Sequence, residues 1–295
     1  MAEEISKIIS NGINTYTKNL NLCIPFILNI VTIGLTAIII TIFSLVYLFG
    51  SLQIEEYNTP EALSLAFISS LSNHIFEIAV IVMAGVLIIM YIASFFTSGA
   101  IGMAKQATET GKTTFSIMIE SGKKNVFNLF LAEIMFLLLI FAGIVFMVPG
   151  AMNLDLNQLS IGENFLLMIG FVLWIVYLLI LSLVLSAFSY VLVIESLGPV
   201  EGMIAGFDFF KKNASDVFLI ILVTIGVSFV FAIIDTIMSL NSILNTIWFF
   251  VSLLISVCIL SPVMTLWWVR LYMTRTGKHV YFNDLLAHPN DLPKP

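Results

Sequence analysis

Six long apolar runs divide the chain, at residues 22–50, 76–103, 126–148, 165–194, 217–240 and 247–269. A helix that crosses a bilayer needs about 20 mostly apolar residues, and each run supplies them. Lipid offers no partners for backbone N–H and C=O groups, so only helices and closed barrels span it. The runs are too long and too uniformly apolar for the alternating strands of a barrel. The pattern predicts an all-α integral membrane protein with six transmembrane helices.

Shorter amphipathic segments precede the odd-numbered spans. Over 4–19 the apolar residues are Ile5, Ile8, Ile9, Ile13 and Tyr16, with Gly12 among them. Over 114–125, Phe115, Met118, Ile119 and Gly122 share a face, and over 199–213 Val200, Met203, Ile204 and Phe207 do. These spacings draw one stripe along a helix. Each segment ends in the same pair: Lys18-Asn19, Lys124-Asn125 and Lys212-Asn213. Lysine complements the negative end of a helix dipole, and asparagine tolerates the left-handed turn that stops a helix. Pro199, after Gly198, suits a first helical turn. Each segment is therefore predicted to be a cytoplasmic elbow helix, lying in the interface before turning into its span.

The even-numbered spans carry small residues at helical spacing: Ser94, Ser98 and Gly102; Ser182, Ser186 and Ser189; Ser252, Ser256 and Ser261. Such stripes let helices pack closely in lipid. Thr110-Gly111-Lys112 after the second span resembles Thr276-Gly277-Lys278 after the sixth. The expected architecture is one polytopic domain over 1–295, made of three hairpins in units of about 4–110, 114–196 and 199–286. Pro60 is expected to start a short helix in the longest outer loop, with Leu63, Phe67 and Leu71 toward the membrane.

Charge sets the orientation. All 12 Lys and Arg fall on one side of a six-span arrangement, which is the cytoplasmic side by the positive-inside rule. Both termini are then cytoplasmic and the protein sits in the cell membrane. The outer side carries Glu55, Glu56, Glu61, Glu77, Asp155 and Glu163 and no Lys or Arg. Ten acids accompany the 12 bases inside, leaving only +2, so nucleic-acid binding has no support. Composition agrees: 60 % of residues are hydrophobic and 10 % charged, against about 25 % charged in soluble domains. The start, with Glu3 and Glu4 and no small-residue cleavage site, does not read as a signal peptide.

Residues 195–218 read ESLGPVEGMIAGFDFFKKNASDVF. This resembles a pattern in a broad group of bacterial and archaeal membrane proteins, including the membrane domain associated with glycerophosphodiester phosphodiesterases. That pattern is a span ending in Glu, then Leu-Gly-Pro, a short helix, a basic residue and Asn, then another span. Glu195, Leu197, Gly198, Pro199, Lys212 and Asn213 match it, and Lys18-Asn19 before Pro25 is similar to the group's opening. The specific matches occupy about thirty residues. The resemblance implies a fold and a membrane location; without a phosphodiesterase domain it implies no hydrolase activity.

Candidate chemistry is sparse. Glu133 lies within the third span and Asp235 near the outer end of the fifth, and an acid inside a span is a functional candidate. Glu133 is expected to face the bundle interior and a polar cavity. Glu195 and Arg270 end the fourth and sixth spans and are expected to pair as a clamp. Gly111-Lys112-Thr113 is not a phosphate loop, because Gln106 stands where that motif needs glycine. Cys23 and Cys258 read as small apolar side chains, and His74, His279 and His288 as solvated. No metal site, cofactor or catalytic constellation is predicted. The expected role is a non-enzymatic scaffold or accessory protein that interacts with the lipid bilayer, with particular lipids or with other membrane proteins. The alternative is a transporter or exporter of a small or lipid-like solute.

Overall fold

The computed structural model describes residues 3–49, 59–152 and 165–281; Glu55, Glu56, Asp155, Glu163, His288 and Lys294 lie outside them. No strand occurs among the described residues. Helix α1 (Ile5–Lys18) passes through one 3-10 turn into α2 (Ile24–Phe49). Then come α3 (Pro60–Asn73), α4 (Ile75–Thr110), α5 (Phe115–Ala142), and the one-turn α6 (Val148–Ala151). The chain continues as α7 (Phe165–Val184), α8 (Phe188–Glu195), α9 (Pro199–Met238), α10 (Ser242–Ile255) and α11 (Ser261–Arg275). Among the described residues, six helical stretches are long and apolar enough to cross a membrane: Leu20–Tyr47, Ile75–Thr110, Phe115–Ala151, Phe165–Glu195, Pro199–Met238 and Ser242–Arg275. The chain is a multi-pass membrane protein.

The helices run past the ends of the apolar runs on the lysine-bearing side. The second run stops at residue 103, but α4 continues to Thr110. Backbone bonding does not stop at the edge of the hydrocarbon, and Ala104, Ala107 and Thr108 carry a buried stripe onward. The predicted turn at Lys124-Asn125 is absent, because α5 is one helix from Phe115 to Ala142. Asn125 is buried there and its Nδ2 donates to the Ser121 carbonyl, 3.2 Å. At Asn19 and Asn213 the backbone does leave the helix, with φ/ψ of −135°/60° and −129°/31°. Both side chains make the same bond four residues back, Asn19 to the Thr15 carbonyl (2.9 Å) and Asn213 to the Phe209 carbonyl (3.0 Å).

A second recurrence marks the far ends of the even spans. Three described residues have positive φ: Gly111 (79°), Ser196 (54°) and Gly277 (69°). Each lies within two residues of the end of α4, α8 or α11. The serine-rich stretches are less uniform. In α4, Ser94 and Ser98 are fully buried against α5, where Ser121 Oγ donates to the Ser98 carbonyl, 2.8 Å. Ser186 sits in the irregular turn between α7 and α8. Ser256 opens a π turn (Ser256–Leu260), and Ser261 Oγ donates to its carbonyl, 2.9 Å.

Burial is concentrated at the lysine end. The core there contains Ile8, Leu22, Ile101, Met103, Met118, Leu129, Leu192, Ile220, Leu266, Leu271 and Met273, from all three parts of the chain. In the most apolar 18 residues of each span, by contrast, between 0 and 17 % are buried. Toward the other end, packing is chiefly between chain neighbours: α2 with α4, α6 with α7, and α9 with α10. At α6–α7 it is backbone-close, since a Cβ on Gly150 would stand 2.3 Å from the Leu167 Cα.

Candidate functional site

The charged side chains that the fold brings together lie at the lysine end, around α11. Arg270 is 3 % exposed, inside a helix face with Trp267, Leu271 and Met273. A guanidinium cannot shed its charge, so burial at this depth needs a carboxylate. Glu3 supplies it: Nε donates to Oε2 (2.8 Å) and Nη2 to Oε1 (3.0 Å). Asn11 Nδ2 also donates to Oε1, 2.5 Å. One turn later Arg275 Nε reaches Asp216 at the start of the α9 span (2.6 Å), and Nη1 reaches the Glu3 carbonyl, 2.8 Å. These bonds seat the start of α1 against α9 and α11. Trp267 Nε1 to the Ile9 carbonyl (3.1 Å) and Tyr16 OH to the Cys258 carbonyl fix the rest of α1.

The expected Glu195–Arg270 pair does not form. Glu195 instead accepts from Tyr272 OH (2.7 Å) and from Lys278 Nζ (3.0 Å to Oε2). Tyr272 lies two residues from Arg270, which turns it to a different face of α11. Glu195 is thus a joint between α8 and the end of α11, while Arg270 faces α1. Glu3, Asp216 and Lys278 were not singled out from sequence. The available signal was a lone arginine beside two tryptophans, which demands a carboxylate without saying which one.

The other residues of the expected elbow motif lie at the same end of the molecule. Asn19 also donates to the Gly111 carbonyl and accepts from the Thr113 N–H, both at 3.0 Å, tying α1 to the α4–α5 turn. Gly198 caps α9 with Pro199 in its first turn, and the Glu201 carboxylate accepts from the Gly198 N–H, 3.3 Å. Lys18, Lys124 and Lys212 are exposed.

Of the two intramembrane acids, Glu133 is the more enclosed. Ser94 Oγ donates to its Oε2 at 2.6 Å, linking α4 to α5. Asp235 is exposed and accepts from Trp248 Nε1, linking α9 to α10. Among the described residues, no three His, Cys, Asp or Glu side chains are grouped to hold a metal ion.

No family model, curated protein or solved structure matches this chain.

A polar cleft of ≈ 230 Å³ opens at the lysine end between α4, α5 and the end of α8. Lys105, Gln106 and Glu109 line it from α4, and Glu120, Ser121 and Lys124 from α5. Lys105 Nζ donates to the Ile194 carbonyl, 3.1 Å. The buried Gln106 Oε1 has no hydrogen-bond partner among the described residues. The lining combines two cations with two carboxylates, so it suits a zwitterionic or mixed-charge group rather than a polyanion.

Proposed function

We propose that this protein is a non-enzymatic accessory or scaffold protein of the cell membrane, with both termini on the cytoplasmic side, and that it engages lipids or other membrane proteins. Its architecture reads as three copies of one unit, each an amphipathic segment, two spans and a left-handed stop at Gly111, Ser196 or Gly277. One observation carries the functional reading. The lysine end is welded by the buried Glu3–Arg270 pair, two partly exposed ion pairs and an apolar core, while the spans elsewhere leave most of their apolar surface to the bilayer. A rigid base with broad lipid-facing helices is suited to presenting surface, not to turning over a substrate. The mixed-charge cleft at the base supports lipid head groups as one class of contact. A transporter is the second reading, and it draws on the Ser94–Glu133 pair between α4 and α5.

Extraction of the protein with its surrounding lipid in a polymer disc, followed by mass spectrometry, tests the first reading. A lipid class or partner enriched several-fold over the bulk membrane is the expected result. Bulk lipid alone, together with solute flux in proteoliposomes that Glu133→Gln abolishes, would replace it with the second.

A further inference from the structure

At the end away from the lysines, a cleft of ≈ 250 Å³ lies between the last turns of α2 and the first turns of α4. Phe43 and Tyr47 form one wall, one helical turn apart, with ring centroids 6.3 Å apart and planes within 15°. Phe76 and Glu77 form the other, above Val80 and Ile81. Glu77 is 40 % exposed, and the nearest basic group is His74, whose Nδ1 stands 3.8 Å from Oε1. The interspan segments at this end, 50–74, 149–164 and 239–246, contain no Lys or Arg.

We infer that this cleft binds an organic ammonium cation through the Phe43, Tyr47 and Phe76 rings and the Glu77 carboxylate. Aromatic faces attract a cation held within about 6 Å of the ring centroid, and quaternary ammonium groups are the usual guests of such walls. An anion would meet the π faces and the carboxylate, both repulsive to it. A purely apolar guest would leave Glu77 unused, and a metal ion would find too few oxygen ligands. Ligand pockets usually measure about 300–1,000 Å³, so this cleft takes a head group and leaves any alkyl tail along α2 and α4. It lies at the opposite end from the Glu3–Arg270 pair, so its occupancy is independent of the accessory-protein reading.

The test is calorimetry on the purified protein in a neutral maltoside detergent, against an empty-micelle blank. The probes are hexyltrimethylammonium and its uncharged isostere, with carbon in place of the ammonium nitrogen. Saturable binding of the cation and none of the isostere is expected. Glu77→Gln should weaken binding about tenfold and Tyr47→Leu about three- to tenfold, while Tyr47→Phe keeps the π face and the affinity. Tyr47 and Glu77 both face solvent or lipid, so the elution profile and melting temperature of all three variants should match the parent. Equal binding of the isostere, no saturable binding, or unchanged affinity in both Glu77→Gln and Tyr47→Leu would overturn the site. Two sources of the cation are separated by competition. Displacement by short-chain phosphatidylcholine and not by phosphatidylglycerol assigns a lipid head group, and displacement by neither assigns a free ammonium compound. Displacement by phosphatidylglycerol would count against a cation site.

Discussion

Gly111 and Gly277 close α4 and α11 in the same left-handed conformation, 166 residues apart, and each is followed by a lysine. Such a conformation costs a residue with a Cβ roughly 1–2 kcal/mol. Gly111→Ala should therefore destabilise by about 1–2 kcal/mol, and more if Tyr281, 2.9 Å from where the Cβ would stand, cannot move. Thermal unfolding in detergent measures this, with Gly34→Ala as the comparison. Gly34 lies within α2 with nothing within 4 Å of its would-be Cβ, so that change should stabilise by about 0.5–1 kcal/mol.

The Glu3–Arg270 pair is almost fully buried, at 4 and 3 % side-chain exposure. Removing one partner of such a pair costs about 3–5 kcal/mol, whereas replacing both with apolar groups is often neutral. Glu3→Ala should lower stability by that amount. Glu3→Leu combined with Arg270→Met should recover most of the loss, as read from the melting temperatures of the two variants.

Asn19 and Asn213, which both follow a lysine and both leave the helix, should not be equivalent. Asn19 makes bonds to Thr15, Gly111 and Thr113, whereas Asn213 bonds Phe209. At about 0.5–1.5 kcal/mol per net hydrogen bond, Asn19→Ala should cost about 2–4 kcal/mol and Asn213→Ala about 1. Equal losses would mean that the contacts to the α4–α5 turn contribute nothing.

Orientation is checked by single cysteines on a Cys23→Ser, Cys258→Ser background. Ser64 and Ser69 are exposed on α3, and Thr110 is exposed at the end of α4. An impermeant maleimide applied to intact cells should label the first two and spare the third. The reverse pattern would invert the molecule.

The six spans were legible because a long apolar run has few other uses. The likeness of the two Thr-Gly-Lys stretches was also visible, though not that both glycines end a helix in a left-handed turn. Ser196 gave no such warning, because serine has no special tolerance for positive φ. Helix ends were misread where backbone hydrogen bonding outlasts hydropathy, as in α4 and α5. Arg270 announced its need for a carboxylate, but Glu195 was the wrong one: the rotation of α11 turns Arg270 to Glu3 and brings Tyr272 to Glu195. The cleft of Phe43, Tyr47 and Glu77 was invisible because it depends on the register of α2 against α4.

The Glu3–Arg270 pair also has a consequence for biogenesis. Its two members are separated by 267 residues. At about 5–20 residues per second, Arg270 is translated roughly 10–50 s after Glu3. During that interval α1 must wait at the membrane surface with its carboxylate still hydrated. The base of the molecule closes only when the sixth span arrives, so a chain arrested before α11 keeps its amino-terminal helix undocked and open to proteolytic quality control.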